Sequence, residues 1–216
     1  VEASYLPHHR IGGDYYDYLE LEQQDSFLVC VADVSGKGVP ASILMSNFQA
    51  GLRLLAHQNL SLIEIVTKLN ALIMLNSQGT NFITAFFLIY NYQTKSIEYI
   101  NAGHNPPFLF VDDQAILLEE GTTVLGGFEE LPFLESTSIS DLDKFFLFAF
   151  TDGFTETYNE EGQEFGEDYL LKFVKGHLNE DQKSLHVKLI NHLKTFKGNN
   201  EYADDITLFS CKVNLR

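Results

Sequence analysis

Phe27-Leu28-Val29-Cys30-Val31-Ala32-Asp33-Val34-Ser35-Gly36-Lys37-Gly38-Val39-Pro40 passes from an unbroken apolar run to an acid, a glycine loop and a proline. The apolar run is short, so it reads as a buried strand, with Asp33 at its exit. Gly36 and Gly38 permit a tight loop, and Pro40 suits the opening turn of a helix. Upstream, residues 15–21 form a second strand, and residues 22–26 join the two as a hairpin. The glycine/lysine loop invites a phosphate-loop reading. Its spacing does not match that pattern, and no Ser or Thr follows Lys37, so a nucleotide-binding loop is set aside. Lys37 then reads as a solvated or structural charge.

Two helices follow. Ala41, Leu44, Met45, Phe48, Leu52 and Leu55 form the apolar stripe of the first. Ser61-Leu62-Ile63-Glu64 is a capping box opening the second, whose face carries Leu62, Ile65, Val66, Leu69, Leu72 and Ile73. Strands return at residues 82–90, 96–101, 107–111 and 115–118, with turns at 91–95 and 112–114. Residues 145–150 are continuously apolar, as in a strand covered on both faces. Helices are predicted over 167–177 and 181–196, and a last strand over 206–213. A strand-like segment also starts the chain. No parallel βαβ rhythm is visible. The pattern predicts an α+β fold, an antiparallel β-sandwich with helices on both outer faces.

With 216 residues, 45% of them hydrophobic, the chain can build one large domain. No linker or repeat divides it, and no apolar stretch reaches the ~18 residues that span a bilayer. The net charge of −16 opposes binding to nucleic acid or anionic membranes. Cys30 and Cys211 lie in apolar runs and read as small core residues. A reducing cytoplasmic setting fits them. No secretion signal is visible. The first residue is not Met, so a piece of a longer protein is expected.

Four acidic clusters sit at the edges of apolar runs: Gly12-Gly13-Asp14-Tyr15-Tyr16-Asp17, Ala32-Asp33-Val34, Thr151-Asp152-Gly153 and Asp204-Asp205-Ile206-Thr207. A buried aspartate is costly unless a cation meets it. Convergence of four on one cation site would explain the pattern, and hard carboxylates suit Mg²⁺ or Mn²⁺ rather than zinc. Asp14 and Asp17 are three apart and would point to opposite faces of a strand, so Asp14, beside the glycines, is the one expected to face a site. His8-His9 has no third His or Cys at ligand spacing, which argues against zinc.

The ordered set Gly-Gly-Asp-Tyr-Tyr-Asp (12–17), Asp-Val-Ser-Gly-Lys-Gly-Val-Pro-Ala (33–41), Asn-Ala-Gly-His-Asn-Pro-Pro (101–107), Thr-Asp-Gly-Phe-Thr-Glu (151–156) and Asp-Asp-Ile-Thr (204–207) resembles the metal-dependent serine/threonine phosphatase (PPM) superfamily. The likeness is to its bacterial branch typified by SpoIIE and RsbU, and it runs from about residue 4 to residue 213. Phe82-Ile83-Thr84, Leu125-Gly126 and Glu164-Phe165-Gly166 agree with it.

The resemblance implies a dimetal site at one end of the sandwich, holding two Mn²⁺ or Mg²⁺ ions. It implies that Asp33 bridges the ions and that the Val34 carbonyl ligates one. Asp152 and Asp204 would ligate the other, and Asp14 would hold a metal-bound water. Asp205 stands beside the ligand position, with Asp204 preferred, and the Gly153 backbone would shape the water shell. Direct in-line attack of a dimetal-activated water on phosphoserine or phosphothreonine follows, with no covalent intermediate. The implied substrate is a phosphorylated regulatory protein, such as a STAS-type anti-sigma-factor antagonist. An upstream sensor region, to which helices 40–76 would couple the metal site, is implied too, and a homodimer is admitted. The alternative is a catalytically weak or silent interaction module, which should lack metal carboxylates; here all are present. His104 is read as structural, fixing its turn, with a general-acid role as the alternative. Arg10 is read as a surface residue, with a phosphate contact as the alternative.

Overall fold

The computed structural model describes residues 1–8, 11–112 and 114–214. His9 and Arg10, and with them the His8-His9 pair and the Arg10 phosphate contact, lie outside the described residues, as does Asp113 of the expected turn. In chain order the elements are β1 (Glu2–Leu6), β2 (Tyr15–Leu21), β3 (Ser26–Val34), α1 (Val39–Ala56), α2 (Leu62–Ser77), β4 (Ile83–Asn91), β5 (Ser96–Ala102), β6 (Phe108–Val111), β7 (Gln114–Leu117), β8 (Gly121–Thr122), β9 (Thr137–Ile139), β10 (Lys144–Phe150), α3 (Asp152–Thr155), α4 (Glu167–Gly176), α5 (Gln182–Lys197) and β11 (Ile206–Asn214). One sheet has the order β1-β11-β10-β6-β7. The other has β2-β3-β4-β5-β8, with β9 paired to β5.

The strand phase explains the layers. In β3, Phe27, Val29 and Val31 pack between the sheets, while Leu28, Cys30 and Ala32 pack under α1 and α2. In β10, Phe145, Leu147 and Ala149 face the inter-sheet core, while Phe146, Phe148 and Phe150 meet α4 and α5. Both strands are covered on both faces, which is why their sequences are unbroken apolar runs. Three cores between four layers result: helices, sheet, sheet, helices. Both cysteines are buried and unbridged.

Local chemistry sets the helix starts. Gly38 (φ 72°) turns the chain into α1, with Pro40 in its first turn. The Ser61 hydroxyl accepts from Glu64 N–H, and the Glu64 carboxylate accepts from Ser61 N–H at 2.8 Å, which completes the capping box of α2. Among the described residues the strand pairings are antiparallel with one exception, the two-residue parallel match of Asn101 and Ala102 to Gly121 and Thr122. The sequence pattern missed that pair, β9 and α3, because elements of two to four residues carry no measurable periodicity.

Candidate active site

Strand phase also delivers the acids. Asp33 continues the phase of Phe27, Val29 and Val31, so it leaves β3 toward the open end of the inter-sheet layer. Tyr15, Leu21 and Val34 belong to the helix-side core, and Asp17 shares that phase. The Asp17 carboxylate accepts from Arg53 of α1 at 2.7 Å and from the Tyr15 hydroxyl at 2.5 Å. Asp17 therefore ties α1 to the sheet, and Asp14 faces the other way, as the three-residue spacing requires. Asp14 is 7% exposed. Its Oδ2 accepts from the hydroxyls of Thr151 at 2.8 Å and Thr207 at 2.7 Å. Thr207 N–H donates in turn to Thr151 Oγ1 at 2.9 Å, so the ends of β10 and β11 form one hydrogen-bonded seat for Asp14.

The glycines bring the segments within reach. A Cβ on Gly13 would stand 3.1 Å from the Val34 carbonyl oxygen and 3.4 Å from Asp33 Oδ1. A Cβ on Gly153 would stand 2.0 Å from the backbone oxygen of Asp205. The short helix α3 can therefore sit against the start of β11 because residue 153 has no side chain. Asp152 opens that helix, and the Gly153 backbone hydrogen-bonds its carboxylate. The Gly153 carbonyl accepts from Thr157 Oγ1 at 2.8 Å.

Asp204 and Asp205 part company. Both oxygens of Asp205 accept backbone N–H groups, His8 at 2.7 Å and Gly13 at 2.8 Å. Asp205, which the sequence placed beside the preferred ligand Asp204, clamps the glycine loop that carries Asp14. Asp204 is partly exposed and faces the other acids. Its Oδ1 accepts from Asp205 N–H at 2.9 Å, and its Oδ2 pairs with Lys37 Nζ at 2.9 Å. Lys37 also donates to the Ala203 carbonyl at 2.6 Å, so it is a partner of the site rather than a free surface charge.

Electrostatics shows the strain of this grouping. Burial pushes the Asp33 carboxyl well above its ordinary value, and the fields of Asp14, Asp152 and Asp204 push it further. Asp14 is also raised, by burial first, although its threonine donors oppose the shift. The contact between the two carboxyls raises Asp33 and lowers Asp14, so Asp33 is the harder of the pair to ionise. Asp152 is raised by burial and by Asp204, with Lys37 opposing. Tyr5, at the rim, is pushed up to about 12 by burial and by the same aspartates.

The donor set is hard oxygen throughout: four carboxylates and the Val34 carbonyl. Among the described residues no three His, Cys, Asp or Glu side chains close into a cage around an ion. The oxygen-only donor chemistry suits hard cations such as Mg²⁺ and Mn²⁺ better than zinc.

His104 is buried in the turn after β5. Its backbone N–H donates to Asn101 Oδ1 at 2.7 Å, and its ring Nδ1 lies 3.0 Å from Thr84 Oγ1. Burial pushes it down to about 4, so the ring is neutral at neutral pH and fits a structural part. The roles of Thr151, Thr207 and Tyr5 and the Lys37 contact were not expected from the sequence. For the threonines a signal was present, since each is a polar residue in the inward phase of an apolar strand.

The family model for stage II sporulation protein E (SpoIIE) matches residues 23–214. The phosphoserine phosphatase RsbU of Bacillus subtilis is 29% identical over 167 residues, covering 75% of this chain and 48% of that protein. The phosphoserine phosphatase RsbP of the same organism is 25% identical over 211 residues, covering 95% of this chain and 50% of that protein. The chain thus spans about half the length of these curated relatives. The SiaA-PP2C domain of Pseudomonas aeruginosa superposes with a TM-score of 0.87 over 99% of this chain and 85% of that one, at 18% identity, which shows a shared fold.

Proposed function

The chain belongs to the SpoIIE family, and from that premise we propose that it is the catalytic domain of a metal-dependent serine/threonine protein phosphatase. One observation carries the proposal. Asp14, Asp33, Asp152 and Asp204, from four distant segments, gather at one end of the inter-sheet layer, where burial and mutual repulsion call for cations. Asp33, the Val34 carbonyl, Asp152 and Asp204 are the proposed ligands. When bound, two divalent cations supply the Lewis acidity that makes a water nucleophilic near neutral pH and that offsets the charge of a phosphate.

The chain's own groups do the rest. Asp14, fixed by Thr151 and Thr207 through Oδ2, has its other oxygen clear of those donors, with which it can orient a water by accepting a hydrogen bond from it. Asp205 keeps the Asp14 loop against β11. Asp33 would ligate as the carboxylate, and because burial raises it, cation binding there would be coupled to proton release. Two divalent cations would offset the charge of the four aspartates, so the overall −16 would not bar a phosphorylated substrate.

The substrate proposed is phosphoserine or phosphothreonine on a regulatory protein, which the naming of RsbU and RsbP as phosphoserine phosphatases supports. The remaining length of those relatives supports placing this domain within a longer regulated protein. Among the described residues no helix is long and apolar enough to cross a membrane. Hydrolysis of an aryl phosphate and of a serine-phosphorylated protein tests the reading. Turnover should require Mn²⁺ or Mg²⁺ and fall to background in Asp33→Asn and Asp152→Asn. Metal-independent turnover, or full activity in either variant, would sink it.

A further inference from the structure

Lys37 lies between two anchored points. Before it, Ser35 is fixed by its N–H to the Phe82 carbonyl at 2.9 Å and by Phe82 N–H to its hydroxyl at 2.8 Å. After it, the hydroxyl of Ser42 in α1 donates to the Gly38 and Gly12 carbonyls at 3.0 and 2.9 Å. Gly36 (φ 93°) and Gly38 (φ 72°) flank the lysine in left-handed conformations that favour glycine. This geometry aims the lysine stem across the mouth of the site to Asp204 and Ala203. Both oxygens of Asp204 are thereby engaged, one by Asp205 N–H and one by the ammonium. The Lys37 and Asp204 side chains are 48% and 39% exposed, so the ammonium can swing into water without moving backbone.

We infer that Lys37 is a tethered cation that competes with a divalent ion for Asp204. Resting on the metal-centre reading above, the inference makes Lys37 a positioning residue that weakens cation binding at this carboxylate. The ammonium holds Asp204 in place while the site is empty of metal. An incoming ion must displace it, and the released charge then repels that ion. Because the loop joins Asp33 to α1, any shift of α1 would alter how well the ammonium reaches Asp204.

Calorimetric Mn²⁺ titration of wild type, Lys37→Met and Lys37→Arg tests this, with thermal unfolding in chelator as a second readout. An exposed ion pair is weak, so Lys37→Met should bind Mn²⁺ up to about fivefold tighter. Lys37→Arg, which keeps the charge, should stay near wild type. In chelator, Lys37→Met should unfold at a lower temperature, because the aspartates lose their counter-charge. Unchanged or weaker Mn²⁺ binding by Lys37→Met overturns the inference while leaving the metal centre intact. Absence of Mn²⁺ binding by wild type overturns the metal-centre reading itself, and this inference with it.

Discussion

Metal-free protein should lose stability as pH rises through neutrality, and Asp33→Asn should remove the Asp33 share of that loss, leaving the smaller share of Asp14 and Asp152, which burial also raises. In the fold, Asp33 is raised above its ordinary value of 3.8 by burial and by Asp14, Asp152 and Asp204. The folded state then holds a proton that the unfolded chain has already released. Stability changes with pH in proportion to protons bound unfolded minus protons bound folded. Here that difference is negative, so stability falls with rising pH. The fall starts above the ordinary aspartate value and ends above the raised folded one. One retained proton amounts to about 1.4 kcal/mol per pH unit, or about 2.7 kcal/mol between about pH 6 and about pH 8.

His104 and His186 act in the opposite sense. Burial pushes each down to about 4, so each adds stability as pH rises toward the ordinary histidine value of 6.5. Both are present in wild type and variant, and they cancel in the difference. Urea unfolding in chelator at several pH values is the assay, with the difference between the two stability curves as the quantity read. The amide introduced by Asp33→Asn keeps a donor for Asp14, so the variant should fold. Saturating Mn²⁺ should flatten the wild-type curve by expelling the proton. Parallel wild-type and Asp33→Asn curves in chelator would refute the reasoning, because Asp33 would then be ionised at neutral pH without cost.

Gly153→Ala would drive a Cβ to 2.0 Å from a backbone oxygen, so chemical denaturation should show a loss of about 1–3 kcal/mol, with weaker Mn²⁺ binding by calorimetry. Thr207→Val removes one of the two hydroxyl donors to Asp14 Oδ2. It should cost about 1–3 kcal/mol, and Asp14, followed by carboxyl NMR, should titrate higher than in wild type. Asp17→Ala leaves the buried Tyr15 hydroxyl and Arg53 without their acceptor. An unfolding free energy lowered by about 2 kcal/mol is expected, and an unchanged one would remove the link between α1 and the sheet.

What the sequence revealed, and what it hid, follows from the range of the interactions. The strand exit at Asp33 was legible because period-2 burial and an abrupt change of polarity are local signals. The opposite orientation of Asp14 and Asp17 was legible for the same reason. Asp205 was not, because its role depends on which backbone N–H groups the glycine loop presents to it. Thr151 and Thr207 become partners only through the register that sets Phe150 opposite Leu208. Lys37 meets the Ala203 carbonyl across 166 positions of chain, and no local pattern announces such a contact. Loop geometry at Gly36 and Gly38, not composition, decides where that ammonium goes.

The acids sit at the end of the inter-sheet layer for a physical reason. Three apolar cores fix the two sheets and both helix layers, so the exits of β3 and β10 and the start of β11 cannot drift apart to relieve repulsion. The hydroxyls of Thr151 and Thr207 and the backbone of Gly13 hold Asp14 and Asp205 in that rigid frame. Relief must therefore come from added positive charge: a proton on Asp33, the ammonium of Lys37, or divalent cations. The first two are weak and exchangeable. A frame that forbids separation of its carboxylates while satisfying them only with exchangeable charge is one that a strong cation can enter, and both the proton on Asp33 and the reach of Lys37 then set the affinity with which it does so.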